Sequence, residues 1–349
     1  MKLKKKINHL NNYIIAEIGT NHNRNKAQAI KMIKKLSKTQ CDCVKFQIYE
    51  PNEIVNKKVM SKDYGLNKIY GNITAYEMFK RYLVTPKGWF PELKNICHSY
   101  KMNFAVTIHG DNGLRWAKKN KPDIIKIASM DHNNFPFIKK IVNNVSSPIL
   151  VSLGMAKLAD IIILVNILKK HKKGFGLFHC TSLYPPKLRE SRMNNISFLK
   201  NKFKIPIGFS DHFVGYKLAK KAKQLGASFY EKHVTLNPLD IGPDHKFAIK
   251  IDDLLKYILE IKKTKKNKIQ KKDSFLPLSY REKKIRGKYT KSIIIKSKIS
   301  KGSKITKNKI YTARPGNGIS PLYLEKILNK VAKYNLYPEK ILKWQHIKK

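Results

Sequence analysis

Two histidines, His212 and His233, stand at the ends of short apolar runs, where their side chains could share one metal ion. The runs are IGFSDH and FYEKHV. If these runs are neighbouring parallel strands, their carboxyl ends meet at one edge and the two imidazoles project from it together. Neutral imidazole is a common metal ligand, and two protein ligands leave coordination positions for water and substrate. The pattern therefore predicts a divalent metal held by this pair, whereas His179, inside GLFHC, is either a further site residue or a core histidine.

Other apolar runs also end in side chains that could bind an anion. A single Ser or Thr could belong to a buried polar layer, but every one of the runs ends in at least one polar group. Converging lysines and hydroxyls bind anions through charge-assisted hydrogen bonds, and phosphate is a frequent ligand of such sites. The polar groups at these ends include Glu17, Lys45, Gln47, Thr107, Lys126, Ser129, Asp131, Ser152, Ser182, Ser210 and Glu231.

The elements that must position these groups are eight short runs rich in β-branched residues, which alternate with segments of helical periodicity. This alternation is typical of parallel strands joined by crossover helices, and eight such units predict an α/β protein with a (β/α)8 barrel. The longer connection over residues 50–102 predicts an elaborated loop above the barrel. The runs cover residues 13–19, 43–49, 103–108, 124–129, 148–154, 176–182, 205–211 and 228–234.

The chain length suits a barrel of about 250 residues followed by a smaller domain. We expect a barrel domain over residues 1–265, a charged linker over 266–286 that has lost apolar periodicity, and a small domain over 287–349. Short strands punctuated by Gly and Ser are predicted in the small domain, followed by a helix over 320–333.

The charge of the chain is extreme, with 73 Lys and Arg against 23 Asp and Glu and a formal net charge of +50. The basic residues are mostly lysines spread over the whole length, which argues against a specific nucleic-acid interface. No apolar run reaches the roughly 20 residues of a membrane span, and the basic N-terminus lacks the apolar segment of a signal peptide. We therefore expect a cytoplasmic protein whose four cysteines, without a CxxC pair, are reduced structural thiols.

Eight segments between about residue 13 and residue 335 together resemble a known family. They are IAEIGTNHN, DCVKFQIYEP, KIASMDHNNFP, LVSLGM, HCTSLYP, IGFSDH, EKHVTLNPLDIGPDH and ARPGNGISP. In this order they resemble the motifs of the N-acetylneuraminate (sialic acid) synthases and their legionaminate and pseudaminate relatives.

The resemblance implies a metal-dependent transferase that forms a C–C bond. It would condense phosphoenolpyruvate with water and an N-acetylated amino-sugar aldehyde, either N-acetylmannosamine or a 6-deoxy-diacetamido hexose. The products would be a nine-carbon, sialic-acid-like nonulosonic acid and phosphate. The implied metal is Mn²⁺ or Mg²⁺, and the implied fold is a barrel followed by an antifreeze-like (SAF, β-clip) domain. A domain-swapped homodimer is also implied, in which the RPGNG segment of one chain reaches the active site of the other.

The resemblance also implies roles for individual residues. His212 and His233 match metal ligands, while Glu17 and Asp131 match acidic positions near the metal-bound water. One departure is the stretch from Val106 to His109, where many relatives read STPF and Thr107 is the one residue in common. The identity of the acceptor sugar therefore stays open. The implied phosphoenolpyruvate site comprises Lys45, Lys126, Ser129, Ser152, Ser210 and Ser182, and the implied sugar site comprises Gln47, Tyr184, Asp244 and Arg314.

Two other functions fit part of the sequence. The net charge would suit a non-catalytic protein that binds polyanions or nucleic acid. The altered segment at Val106 to His109 would suit a silent barrel that serves as an assembly partner. Phosphate release from phosphoenolpyruvate with a sugar would identify the enzyme and exclude a silent barrel. Salt-sensitive DNA binding without turnover would identify a polyanion-binding protein.

Overall fold

The computed structural model describes Ile7 and residues 10–267 and 274–348. Part of the basic N-terminus and part of the expected linker therefore lie outside the described residues. Eight parallel strands are hydrogen-bonded in chain order, and the first also pairs with the eighth, so the predicted barrel is confirmed. Its strands are β1 (Tyr13–Glu17), β2 (Cys43–Ile48), β3 (Asn103–Ile108), β4 (Ile124–Ile127), β5 (Ile149–Ser152), β6 (Phe175–Cys180), β7 (Ile207–Asp211) and β8 (Phe229–Thr235).

Helices cover the outside of the barrel and pack on the outward side chains of the strands. The principal covering helices bury one apolar face against the sheet, as the helical periodicity predicts. Those that follow the strands are α1 (Lys26–Leu36), α5 (Phe90–Ser99), α6 (Asp111–Asn120), α7 (Phe135–Asn144), α8 (Leu158–Leu168), α9 (Asn195–Phe203), α10 (Lys217–Gln224) and α11 (Ile251–Lys263).

Successive side chains of each strand face opposite sides of the sheet, and this alternation decides which residues reach the barrel interior. On β1, Ile14 and Ala16 pack in the core beneath the helices, whereas Tyr13 and Ile15 pack in the inner core. Glu17 continues the inner series at the carboxyl end of the strand. The inner series of β7 begins at Gly208, where a Cβ atom would lie 2.2 Å from the ring of Phe229.

The long connection between β2 and β3 forms a small structure of its own above the barrel. It packs a separate apolar cluster that includes Tyr49, Ile54 and Met78. Its elements are α2 (Pro51–Ile54), a 3₁₀ turn (Ser61–Tyr64), α3 (Asn67–Tyr70), α4 (Ala75–Met78) and a π-helical turn (Phe79–Leu83).

The small C-terminal domain packs its own apolar core around an antiparallel pair, β10 (Ser292–Ile295) and β11 (Ile310–Ala313). A short strand, β9 (Ile249–Lys250), pairs with the end of β8 earlier in the chain. The helix expected over residues 320–333 is wrong beyond residue 327. A 3₁₀ turn (Pro321–Tyr323) leads into α13 (Leu324–Ile327), which ends before Asn329 at φ 65°. The following residues pair as bridges with other segments of the domain instead, which satisfies their backbone groups.

The C-terminal domain packs onto the barrel of its own chain through a helix that the sequence pattern did not indicate. This helix, α12 (Tyr280–Tyr289), begins within the expected linker and ends three residues beyond it. Glu282 pairs with Arg192 at 2.7 Å, and Arg286 pairs with Asp160 at 2.9 Å. These contacts hold α12 over the carboxyl ends of the strands, where it covers part of that end of the barrel.

The four cysteines are buried and free, in agreement with structural thiols. No helix within the described ranges is long and apolar enough to cross a membrane.

Candidate active site

A cavity of about 470 Å³ opens at the carboxyl ends of the strands, beneath the long β2–β3 connection and α12. Every site residue predicted from the sequence lines it except Asp131. The lining residues from that set are Glu17, Lys45, Gln47, Thr107, Lys126, Ser129, Ser152, Ser182, Tyr184, Ser210, His212, His233, Asp244 and Arg314.

Glu231 lies at the centre of a buried charge network on the cavity floor. Lys126 Nζ lies 2.9 and 2.7 Å from its two carboxylate oxygens, and Ser210 Oγ donates to it at 2.9 Å. Lys45 Nζ lies 3.5 Å from Glu231 and 2.8 Å from Glu17. Burial raises the pKa of Glu231, but Lys126 and Lys45 outweigh this and hold that pKa well below its usual range. The sequence assigned no role to Glu231, although its position two residues before His233 places it in the same inner series.

The two lysines differ in their electrostatic surroundings. For Lys45, burial lowers the pKa, but Glu17 and Glu231 together outweigh burial and raise it. For Lys126, burial lowers the pKa and Glu231 alone does not restore it, since Lys45 opposes it. Lys126 therefore depends on Glu231, or on an incoming anion, to stay charged.

A cluster of small groups beside the lysines leaves room for an anion. Gly154 N donates to Ser129 Oγ at 3.2 Å, and Ser182 Oγ is buried without a hydrogen-bond partner among the described residues. A Cβ atom on Gly154 would lie 2.1 Å from Ser182 Oγ and 2.8 Å from Ser129 Oγ. The absence of a side chain at Gly154 therefore keeps this part of the cavity open.

His212 and His233 face each other at the cavity wall, with ring centroids 5.5 Å apart. His212 Nδ1 donates to the carbonyl of Thr181 at 3.0 Å, which leaves Nε2 free of that bond. Burial lowers the pKa of His212 to about 4 and, with the charge of His212 as a further cause, lowers that of His233 well below its usual value. Both rings are therefore neutral near pH 7, as a metal ligand must be.

His212 fits a divalent metal, because its Nδ1 donates to a backbone carbonyl while its Nε2 is available. His233 Nδ1 is buried without a hydrogen-bond partner in the described part of the chain, 3.7 Å from Asp244. The described residues contain no group of three or more His, Cys, Asp or Glu side chains that could hold a metal. His212 and His233 would therefore leave most coordination positions to water and substrate. His179 lies outside this group, because its Nε2 contacts the carbonyl of Ser191 at 2.7 Å and its ring stacks on Phe209.

Acidic and amide side chains complete the wall next to the histidines. Gln47 Nε2 donates to Glu17 at 2.8 Å, and Thr20 Oγ1 donates to Asp244 at 3.2 Å. Burial, followed by the charge of Glu17, raises the pKa of Asp244 to about 7. Tyr184 packs against His212, with the two ring centroids 4.4 Å apart.

Arg314 reaches the cavity from the C-terminal domain of the same chain. Its backbone bridges Val55, and Arg314 N donates to the carbonyl of Ile54 at 3.0 Å. Its guanidinium lies 5.7 to 5.8 Å from the ring centroids of Tyr64, Phe79 and Tyr289. The exchange of this segment between two chains stays a prediction.

Asp131 is the one predicted site residue that the structure does not bring to the cavity. It follows β4 in a 3₁₀ turn (Ser129–Asp131) and is fully buried. Its two carboxylate oxygens contact His109 Nδ1 at 2.6 Å and Lys291 Nζ at 2.9 Å. Burial raises its pKa, but Lys291 and His109 outweigh this and lower it to about 2.

Comparisons with known proteins agree with this architecture. The NeuB family model matches residues 32–273, and the SAF domain model matches residues 290–348. The chain is 31% identical to an N,N'-diacetyllegionaminic acid synthase of Campylobacter jejuni, over 95% of this chain and 98% of the relative. It is 27% identical to the enzyme of the same name from Legionella pneumophila, over 96% and 94%.

A solved structure shares both the fold and part of the sequence. The N-acetylneuraminic acid synthetase of Leptospira borgpetersenii superposes with a TM-score of 0.64 at 28% identity, covering 78% of this chain and 90% of that one. A spore coat polysaccharide biosynthesis protein of Bacillus subtilis, at 24% identity, superposes over 100% of this chain and 99% of its own with a TM-score of 0.84, which concerns the fold alone. The family match covers most of the chain, and the chain therefore belongs to the NeuB family of nonulosonic acid synthases, with a SAF domain after its barrel.

Proposed function

We propose that this protein condenses phosphoenolpyruvate with water and the aldehyde of an N-acetylated amino sugar, giving a nine-carbon nonulosonic acid and phosphate. The observation that carries the proposal is the cavity in which two neutral histidines lie beside a buried cluster of lysines, carboxylates and hydroxyls. The sugar-acid synthase names of the similar proteins support the same reaction class.

Phosphoenolpyruvate would bind on the cavity floor. Lys45 and Lys126 can donate charge-assisted hydrogen bonds to its phosphate and carboxylate, and the hydroxyls of Ser129 and Ser182 can add neutral ones. Glu231 is the counter-charge of Lys126 in the free protein. A bound anion would take over part of this pairing, so its negative charge would not be buried without a partner.

A divalent metal, Mn²⁺ or Mg²⁺, would be held by His212 and His233, and when bound it would act as a Lewis acid toward the aldehyde oxygen. The protein's own groups then have separate tasks. Gln47, Tyr184 and Asp244 line the cavity next to the histidines and would orient the open-chain sugar, so that its C1 carbon faces C3 of the enol phosphate.

The remaining steps need a base and a charged environment. As the bond from C3 to C1 forms, the C2=C3 and C1=O double bonds become single bonds, which leaves negative charge on the C1 oxygen and positive charge on C2. Water then adds to C2, and the C1 oxygen takes up a proton. The C2–O–phosphate bond breaks as the new hydroxyl becomes the keto oxygen, so that phosphate leaves with the other proton of water. Glu17 lines the cavity and can accept the proton from water, since burial, opposed by Lys45 and reinforced by Glu231, raises its pKa above the ordinary value. Lys45 lies 2.8 Å from Glu17 and would stabilise the negative charge that develops. Asp131, whose oxygens are engaged by His109 and Lys291, is assigned no proton transfer.

The reaction is tested by phosphate release from phosphoenolpyruvate with a panel of amino sugars, followed by the mass of the product. The panel contains N-acetylmannosamine, its 6-phosphate and a 6-deoxy-diacetamido hexose. We expect metal-dependent phosphate release and a nine-carbon acid with at least one of them. No release with any sugar would favour a silent barrel, and tight, salt-sensitive DNA binding without turnover would favour a polyanion-binding protein. The cytoplasmic location stays a prediction.

Gly154→Ala is expected to raise the KM for phosphoenolpyruvate at least about tenfold, because the new methyl group would occupy the space beside Ser182 Oγ and Ser129 Oγ. The KM for the sugar should change less. Steady-state phosphate release with each substrate varied in turn measures both values. Gly88→Ala is the matched control, since a Cβ there would meet nothing within 4 Å beyond the adjacent backbone. An unchanged KM for phosphoenolpyruvate in Gly154→Ala would place the anion elsewhere.

Co-expression of Arg314→Ala with His212→Ala tests the proposed domain-swapped homodimer. Each variant alone should be impaired, and we expect partial recovery in the mixture because one hybrid site would combine an intact barrel with an intact Arg314. Phosphate release by the purified mixed dimer, carrying a different tag on each chain, is the measurement. If the mixture stays as inactive as its components, Arg314 acts on the barrel of its own chain, as in the arrangement described above.

A further inference from the structure

His109 connects the cavity with the C-terminal domain. It follows β3, at the fourth position of the stretch that departs from STPF, and its side chain is 2% exposed. His109 lines the same cavity as the proposed catalytic groups, on the wall formed by the long β2–β3 connection. The proposed function gives it no role.

Three residues form a buried charge network behind this wall. His109 Nδ1 donates to Asp131 at 2.6 Å, and Lys291 Nζ pairs with the other Asp131 oxygen at 2.9 Å. Lys291 begins the C-terminal domain, immediately before β10, and its side chain is fully buried. Its ammonium also donates to the carbonyl of His109 at 3.2 Å and to that of Glu53. Docking of the C-terminal domain therefore fixes the carboxylate of Asp131 and the backbone of His109, and these two groups hold the imidazole in place.

This network selects one tautomer of His109. The pKa of Asp131 is lowered to about 2, so the carboxylate is ionised and accepts the Nδ1 proton. Burial, opposed by Asp131 and reinforced by Lys291 and Arg314, lowers the pKa of His109, which keeps the ring neutral. Nε2 then carries a lone pair, and it is buried without a hydrogen-bond partner among the described residues. An unpaired buried acceptor costs free energy unless a ligand satisfies it.

The surroundings of His109 suit a sugar substituent rather than a second anion. The ring packs edge-on against Tyr49 with centroids 5.6 Å apart, and Tyr49 OH is also buried without a partner in the described ranges. Apolar side chains from the same connection, including Ile54, Met78 and Phe79, line the adjoining wall. Such a wall accommodates an uncharged group that carries both an apolar part and a hydrogen-bond donor.

We propose that His109 binds the acceptor sugar. Its Nε2 receives a hydrogen bond from a hydroxyl or amide N–H of that sugar. Asp131 and Lys291 are positioning residues that fix the imidazole and make this contact depend on the docked C-terminal domain. The proposal rests on the proposed condensation and adds a specificity contact to it.

His109→Asn and His109→Gln form the primary test. Asparagine keeps a donor near the Nδ1 position for Asp131 but has no atom at the Nε2 position, whereas glutamine can place its amide oxygen near Nε2. We expect His109→Asn to raise the sugar KM at least about tenfold and to leave the phosphoenolpyruvate KM within about twofold. His109→Gln should recover much of the loss. Sugars that carry a hydroxyl in place of each acylamino group show which donor His109 contacts.

Lys291→Met tests the positioning role, because the ammonium of Lys291 does not contact the cavity. We expect a higher sugar KM with a smaller effect on the phosphoenolpyruvate KM, and loss of the single Nδ1-protonated tautomer of His109 in ¹⁵N-histidine NMR. His98→Asn is the control, since His98 forms a similar pair with Asp123 at 2.7 Å on the surface. A purely structural role would lower the thermal unfolding midpoint of Lys291→Met and leave the KM ratio and the tautomer unchanged.

The outcomes separate this inference from the proposed function. If the unsubstituted protein releases phosphate and His109→Asn keeps the same sugar KM, the His109 contact is wrong and the condensation stands. If the unsubstituted protein turns over no sugar, both fail together. If His109→Asn and His109→Gln raise the KM of both substrates equally, His109 supports the cavity without contacting the acceptor.

Discussion

His233→Ala is expected to lower the rate of condensation at least about 1,000-fold, since a metal that polarises the reacting oxygen contributes several kcal/mol to the stability of the transition state. The substitution leaves His212 as the single imidazole at this wall. Because the ring of His233 lies at the cavity and not in the packed inner core, the barrel should stay folded. Phosphate release with saturating substrates measures the rate, and circular dichroism checks the fold.

Direct metal binding separates a ligand role for His233 from a packing role. Titration of Mn²⁺ followed by electron paramagnetic resonance should show loss of the bound fraction in His233→Ala and in His212→Ala. His98→Ala, which removes a half-exposed histidine that does not line the cavity, should bind Mn²⁺ like the unsubstituted protein. Full turnover of His233→Ala with added metal would remove the histidine pair from the mechanism.

Much of the site follows from the sequence because strand alternation is a strict geometric rule. Once Ile15 is assigned to the inner core, Glu17 must face the interior at the next inward position. The same counting takes β2 from Cys43 to Lys45 and Gln47. Local sequence therefore predicts both the strands and the identity of the strand-end groups.

The exceptions lie where alternation no longer applies. Asp131 falls in a turn after β4, so its direction depends on the turn and on partners elsewhere in the chain. One partner, Lys291, is 160 positions away in another domain, as their residue numbers show, and no local pattern predicts such a pair. The helix α12 has no clear apolar face and is held by the ion pairs of Glu282 and Arg286, so apolar periodicity could not reveal it.

Glu231 shows a different limit of sequence reasoning, because its position was evident but its partners were not. Its side chain was one of several polar groups at strand ends, and only the closed barrel brings Lys126 from β4 within 2.7 Å of β8. In the described residues, Glu231 is the carboxylate that pairs with Lys126. Replacement of Glu231 therefore removes the counter-charge of Lys126.

Glu231→Gln is expected to lower both stability and activity strongly. The change leaves Lys126 buried without its counter-charge, and breaking a buried pair in this way costs about 3–5 kcal/mol. The thermal unfolding midpoint should fall accordingly. Glu260→Gln is the matched control, because Glu260 pairs with Lys220 at 2.8 Å between outer helices, where exposed pairs contribute little.

The pH dependence of phosphoenolpyruvate binding identifies the charge on Lys126 as the cause. Burial already lowers the pKa of Lys126, and without Glu231 this pKa falls further, so the lysine of the free variant becomes neutral as pH rises through the lowered value. Binding of the anion then requires uptake of a proton, and the KM for phosphoenolpyruvate in Glu231→Gln should rise with pH by up to about tenfold per unit. Loss of packing alone would lower the unfolding midpoint but would leave the KM as independent of pH as in Glu260→Gln. A flat KM profile in Glu231→Gln would therefore show that Lys126 stays charged without Glu231, and the proposed charge exchange between Glu231 and the substrate would be wrong.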